Sequence, residues 1–254
     1  MTPRVIPVAA DGPVRAAFTT RAGGVSDGAC RGLNLGAAVG DDDARVRENR
    51  RLLCAHLGVA AERVTMGMQV HGATVRRVAA PTRPGRFLGG LTGWPEGDGL
   101  ATATPGLPLV VLAADCLPIL LWDRDGTTVG AVHAGWRGLV AGAVEAAVAA
   151  TGDPGRAAAA IGPAIGPCCY PTGGEVRDAF AVRFGDAVVR GRAVDLAAAA
   201  RVALRAAGVP AAHVREYGDC TACDAERFFS YRRDGAGTGR HAGVVWLDDG
   251  ILAG

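Results

Sequence analysis

The stretch LPLVVLAADCLPILLWD, residues 107–123, and the TTVGAVHAGW at residues 127–136 decide the fold class. These are apolar runs without polar alternation. A strand with one wet face alternates, whereas a strand covered on both faces reads as continuous Val, Leu and Ile. Three such runs in succession predict a sheet buried between layers, as in a layered α/β fold. The longest apolar piece, Leu107 to Trp122, is too short to cross a bilayer and contains Asp115 and two prolines.

Upstream, Val14–Thr20 reads as a strand entering a Gly-rich loop, RAGGVSDGACRGLNLG (21–36). DDDARVRENRRLLCAHLG (41–58) predicts a helix. Its acids suit the positive end of the helix dipole, Val46, Leu53 and Leu57 recur near helical spacing, and Gly58 ends it. Arg63–Val70 and Val75–Ala79 are expected strands. PTRPGRFLGGLTGWPEGDG (81–99) is expected to be a surface loop. Downstream come an Ala-rich helix at 139–151, a strand at Ala157–Ile161 and the turn GPAIGPCCYPTGG (162–174). Helices follow near Glu175–Phe184 and Ala193–Ala207, and a hairpin with glycines at its turn near 226–248. No fixed-period repeat or boundary appears, so residues 1–254 are read as one domain.

Composition narrows the function. Hydrophobic residues make up 49% and charged residues 20%, an ordinary globular balance. A net charge of +2 without basic runs points away from nucleic acid and membrane surfaces. All 27 cationic residues are Arg, which excludes lysine Schiff bases and phosphate-loop lysines. The N-terminus lacks the basic-then-apolar order of a signal peptide, and the seven cysteines are scattered. Both features predict a reducing cytoplasmic setting with free, buried or metal-bound thiols.

Of five histidines, His71 ends a strand pattern in Gln-Val-His-Gly, and His133 stands where an apolar strand meets a helix start. Cys116 breaks two apolar runs. Their separation excludes a compact zinc finger but suits a site assembled from different strand ends. Two imidazoles and a thiolate would leave a fourth tetrahedral position open. The same residues also serve as hydrogen-bonded strand ends and small core fillers, so spacing alone leaves both readings standing.

Several blocks occur together: TTRAGGVSDG with LNLG, Asn49-Arg50, QVHG, GDGL, ADCLP, HAGWRG, IGPAIGPCCY and FFSYRRDGAGTGR. In this order, from about Phe18 to Trp246, they resemble the signature blocks of the bacterial YfiH-type family, also called polyphenol oxidoreductase laccase proteins. The resemblance implies an α+β layered sandwich with helices outside mixed sheets. It also implies that His71, Cys116 and His133 hold zinc, with copper as the alternative. Implied activities are phosphorolysis of purine nucleosides (adenosine, inosine and methylthioadenosine) and deamination of adenosine. Small-molecule nucleosides and phosphate are the expected partners, acting on a monomer or homodimer. Pro171-Thr172-Gly173 departs from the acidic, Val-containing stretch usual there.

Lesser candidates surround the triad. Arg137 suits bidentate phosphate binding, or else a surface ion pair. Gln69 and Asn34 are candidates for binding base or ribose, with turn formation competing. Asp115 would orient an imidazole or cap its turn, and Asp98 and Asp115 are candidates for the general acid. Arg232, Arg233 and Arg240 read as surface charges, and His56, His213 and His241 as surface or cap residues. Cys220-x-x-Cys223 lacks a second pair and reads as structural, and Cys168 and Cys169 as packed in their turn. Rival functions are a copper polyphenol oxidase, a metal-free Cys–His hydrolase with Cys116 as nucleophile, and a peptidoglycan-precursor editing or binding factor. Met66 and Met68 near His71 suit the copper rival, but a four-copper enzyme needs more imidazoles than five.

Overall fold

Each apolar run forms a strand that is buried along its length, save for the half-buried Leu112. In the computed structural model, which describes residues 2–89 and 93–250, the strands are β1 (Val5–Val8), β2 (Val14–Thr19), β3 (Thr65–Met66), β4 (Val75–Arg77), β5 (Gly99–Thr102), β6 (Leu109–Ala113), β7 (Leu117–Asp123), β8 (Val129–Ala134), β9 (Ala157–Ile161), β10 (Val189–Arg190), β11 (Ala193–Val194), β12 (Val214–Glu216) and β13 (His241–Leu247). The helices are α1 (Asp43–Leu57), α2 (Trp136–Ala141), α3 (Ala143–Thr151), α4 (Gly174–Phe184), α5 (Leu196–Ala206) and α6 (Tyr231–Asp234).

Two mixed sheets form the centre. One has the order β1-β2-β13-β6-β3, the other β12-β9-β7-β8-β5-β4, with β10 and β11 paired apart. Period-two side-chain alternation explains the layering. Leu120 and Trp122 of β7, Ala158 and Ala160 of β9, Leu109 and Val111 of β6, and Val245 of β13 share one apolar layer between the sheets. The opposite face of β7, carrying Leu117, Ile119 and Leu121, packs with Val144, Val148, Phe180 and Leu204 of the helices. The outer face of the first sheet, with Val110 and Val244, meets Leu53 and Cys54 of α1. The fold is thus an α+β sandwich of helix, sheet, sheet and helix layers, as the resemblance implied.

Helix α1 follows its sequence signals. The Asp42 side chain accepts a hydrogen bond from the Ala44 N–H, and Gly58 at φ 67° closes the helix in the left-handed conformation. Its inner face carries Arg50, which is buried because its guanidinium donates to the carbonyls of Leu35 and Phe87.

The structure corrects several expectations. The 139–151 helix is two helices, broken at Gly142, whose φ is 89°. The Arg63–Val70 strand shortens to β3, and α5 begins at Leu196, after β11. The expected 226–248 hairpin is instead α6 followed by the single strand β13, which pairs with β2 and β6. Local turn signals cannot reveal that the strand's partners are so distant. Residues 81–89 and 93–99 are more than surface loop, since Phe87 and Trp94 are buried against the α1 layer. Residues 90–92 of that connection lie outside the described residues.

Candidate metal centre

Strand β6 belongs to one sheet and β7 to the other, so the chain crosses between sheets at Ala114–Cys116. The crossing puts Asp115 at φ 91° and Cys116 at the rim of the inter-sheet layer. His133 lies near the end of β8, paired with Pro118 of β7. His71 follows the β3 region in a left-handed conformation, φ 61°. Asp115 and His71 are the non-glycine residues with positive φ among those described, and both belong to this corner. Such conformations persist only where surroundings over-determine them.

The constraint on His71 is Asp98. Its carboxylate accepts the backbone N–H groups of Val70 at 3.1 Å, His71 at 2.9 Å and Gly72 at 2.7 Å. The same carboxylate lies 2.9 Å from His133 Nδ1. One buried acid therefore holds two of the three donors and leaves Nε2 of His133 to meet Cys116. The ligating atoms of His71, Cys116 and His133 lie within 4.8 Å of one another. The rings of His71 and His133 stand nearly perpendicular, 80°, with centroids 4.9 Å apart. Exposure is graded: His71 is exposed, Cys116 half-buried and His133 buried, so the cluster is open to solvent on one side. Gly135 is required for this approach, because a Cβ there would sit 2.9 Å from Cys116 Sγ and 3.1 Å from His71 Cδ2.

The electrostatics suit a cation. Burial disfavours the Cys116 thiolate, yet His133 and His71 outweigh it and draw the thiol down to about 6. Burial likewise opposes charge on His133, but Cys116 and Asp98 raise it to about 9. Burial also opposes ionisation of Asp98, but the hydrogen bonds from His133, Gly72 and Val70 hold its carboxyl below the ordinary range. An ionised, fully engaged Asp98 is unsuited to act as a general acid. A thiolate, two imidazoles and a carboxylate behind one of them fit a three-ligand metal site.

The remaining candidates part company. Asn34 is buried and its amide is fully occupied, donating to the Gly36 carbonyl and Asp41 and accepting from the N–H groups of Gly36 and Arg240. Gln69 exchanges two 2.8 Å hydrogen bonds with the Leu112 backbone, extending the sheet edge. Asp115 accepts from Thr221 Oγ1 and the Arg232 N–H, both at 2.6 Å, and so ties the later loops to the β6–β7 crossing. All three are hydrogen-bonded within the scaffold, as the turn and anchoring functions predict. Arg137 is exposed, lies over the Trp136 ring at 4.4 Å, and has no carboxylate partner among the described residues.

Other corrections follow from burial. Arg240 is no surface charge: burial lowers its pKa, opposed first by the Cys116 thiolate. Arg233 donates to the carbonyls of Thr221, Ala222 and Phe228. Arg232 is exposed, as expected of a surface charge, and donates to the Pro171 carbonyl while lying over the Tyr170 ring at 5.0 Å. His241 is fully buried on β13 rather than superficial, whereas His56 is exposed and His213 pairs with Arg124. Gly135 and the anchoring by Asp98 were missed from sequence; the one available signal was the Gly-Asp-Gly turn of residues 97–99.

This is a two-sheet α+β protein with a His-Cys-His centre at the sheet crossing. Residues 15–248 match the family described as multi-copper polyphenol oxidoreductase laccase, and the chain belongs to that family. It is 45% identical over 245 residues to a purine nucleoside phosphorylase of Pseudomonas aeruginosa, covering 93% of this chain and 94% of the relative. It is 40% identical to the purine nucleoside phosphorylase YfiH of Escherichia coli, covering 92% and 94%. The crystal structure of YlmD from Geobacillus stearothermophilus superposes with a TM-score of 0.87 at 36% identity, covering 94% and 93%.

Proposed function

We propose that this chain is a metal-dependent purine nucleoside phosphorylase acting on adenosine, inosine and methylthioadenosine, with adenosine deaminase activity at the same centre. Zinc is the proposed ion, held by His71, Cys116 and His133, with copper as the alternative. The observation that carries this reading is their convergence, with Asp98 behind His71 and His133. The names of the relatives support the reaction class. Bound zinc would supply Lewis acidity to an oxygen in the open position.

The chain's own residues do the rest. Arg137, steadied on Trp136, presents a planar fork suited to phosphate. Arg240 contributes positive charge near Cys116. Phosphate held there would form the C1–O bond of ribose 1-phosphate as the bond from C1 to the base breaks, with the departing base taking a proton from solvent. Deamination would replace phosphate by water, which attacks C6 of adenine, and the C6–N bond breaks to release ammonia as inosine forms. A multi-copper oxidase is disfavoured because His56, His213 and His241 stand outside the cluster. The expected setting is the cytoplasm; no helix among the described residues is long and apolar enough to cross a membrane.

The test is product analysis of adenosine and inosine turnover with and without phosphate, on zinc-loaded wild type and Arg137→Ala. Loss of a charge-assisted hydrogen bond costs about 1.5–3 kcal/mol, so phosphorolysis should slow roughly 10- to 150-fold. Metal content should hold and deamination should be spared. Phosphate-independent release of free ribose would replace this reading with a hydrolase, and equal loss of both activities would remove phosphate binding from Arg137.

A further inference from the structure

The tertiary fold gathers four cysteines that lie as two separate pairs in the sequence. Cys168 and Cys169 lie in the turn after β9, and Cys220 and Cys223 in the loop after β12. Their four sulfurs lie within 4.8 Å of one another. Cys223 Sγ stands 3.4 Å from Cys169 Sγ and 3.6 Å from Cys168 Sγ. A tetrahedral zinc with bonds of about 2.3 Å needs sulfur–sulfur edges of roughly 3.8 Å. The cluster therefore has the size and donor set of a closed tetrathiolate site. The second pair that a Cys-x-x-Cys motif requires is supplied by a vicinal pair, which no spacing rule would have found.

Three independent features support a ligand function over packing. Cys168 and Cys223 are exposed and Cys169 and Cys220 half-buried, whereas Cys30 and Cys54, which do fill core, are buried. The Gly166 N–H donates to Cys220 Sγ at 3.2 Å, an arrangement that stabilises a thiolate more than a neutral thiol. The backbone is also built for the approach. Ala164 and Cys220 form a β-bridge, and the Cys223 and Asp224 N–H groups fold back onto the Cys220 carbonyl. A Cβ on Gly166 would lie 3.3 Å from both Cys168 Sγ and Cys220 Cβ.

We infer that Cys168, Cys169, Cys220 and Cys223 bind a second, structural zinc ion that clamps the turn after β9 to the loop after β12. Binding converts thiols to thiolates, with the protons passing to solvent and no change of oxidation state. The clamp bears on the first centre through neighbouring residues. Thr221, between the two cysteines of the motif, donates to Asp115, the residue before Cys116, and Tyr170, next to Cys169, stacks with Arg232. The second ion thus positions the rim of the candidate active site without taking part in its chemistry.

The test compares zinc content by mass spectrometry of wild type, C220S/C223S and H71A/C116A, each purified under reducing conditions. Wild type should hold two equivalents and each double variant one. The ion left in H71A/C116A, exchanged for cobalt, should give the intense thiolate-to-cobalt absorption of a tetrathiolate. One equivalent in wild type that persists in C220S/C223S would overturn the inference and leave the first centre standing. One equivalent in wild type that C220S/C223S loses would uphold the inference and remove the metal from the proposed function. A metal-free cluster in wild type, with the mass loss of a disulfide, would also overturn it. Should C220S/C223S fail to fold, Cys168→Ser at the exposed corner should yield its zinc to a chelator that wild type resists, and equal resistance would count against the site.

Discussion

Asp98→Asn is the most informative single change, because one carboxylate carries four hydrogen bonds at the candidate centre. Oδ1 receives the His71 N–H and faces His133 Nδ1, while Oδ2 receives the N–H groups of Val70 and Gly72. An asparagine of the same shape has one accepting oxygen. If that oxygen keeps His71 and His133, its NH2 group points at two N–H donors that have lost their acceptor. An unsatisfied donor costs about 1–3 kcal/mol, so the fold should lose about 2–6 kcal/mol. If the amide rotates, its NH2 faces His133 and drives that ring's proton onto Nε2, the nitrogen needed for ligation. Either orientation weakens the centre. Loss of a carboxylate behind a ligating histidine typically lowers metal affinity about 10- to 100-fold. Chelator competition for zinc and urea denaturation of the metal-free protein read the two effects separately. Affinity within about twofold of wild type, together with unchanged stability, would refute the view that Asp98 builds the site.

Two further changes probe the same architecture. Gly135→Ala removes no donor, yet its methyl would enter the space between Cys116 Sγ and His71, so zinc binding should fall sharply while the rest of the fold stays intact by circular dichroism; normal zinc content would show that the two donors can part without cost. His241 supplies a pH test: burial first, then the charge of Arg240, lowers it from 6.5 to about 3. The unfolded chain binds this proton below 6.5 and the folded chain does not, so stability must fall as pH drops through that window. From pH 6.5 to about 5 the loss approaches about 2 kcal/mol, at 1.36 kcal/mol per pH unit. His241→Leu should remove that part of the slope in urea denaturation, and an unchanged slope would mean that His241 is protonated in the folded state.

The two zinc proposals give the metal different work. The first centre has three donors and one side open to solvent, as chemistry requires, whereas the cysteine cluster offers four thiols, as a closed structural site requires. They meet at Asp115, which receives Thr221 from the clamp and precedes Cys116 of the first candidate centre. A change at the cysteine cluster would then alter turnover through the position of the β6–β7 crossing, with the zinc of the first centre still in place.

Much of this protein was legible in its sequence, because some physics is local. Apolar runs at 107–123 and 127–136 marked strands covered on both faces, and the leading acids and Gly58 marked the ends of α1 through the helix dipole and a left-handed stop. The blocks around His71, Cys116 and His133 were also legible as motifs. What lies between distant segments was not. The strand β13 owes its existence to β2 and β6, so its own turn residues suggested a hairpin instead. The scaffold partners of Asn34, Gln69 and Asp115 lie far along the chain or across the sheet edge, where their local turns give no sign of them. The four cysteines were two unrelated pairs until the parallel β9–β12 pairing brought their loops together. Periodicity and capping are written residue by residue, whereas convergence depends on which strands become neighbours, and only the folded chain decides that.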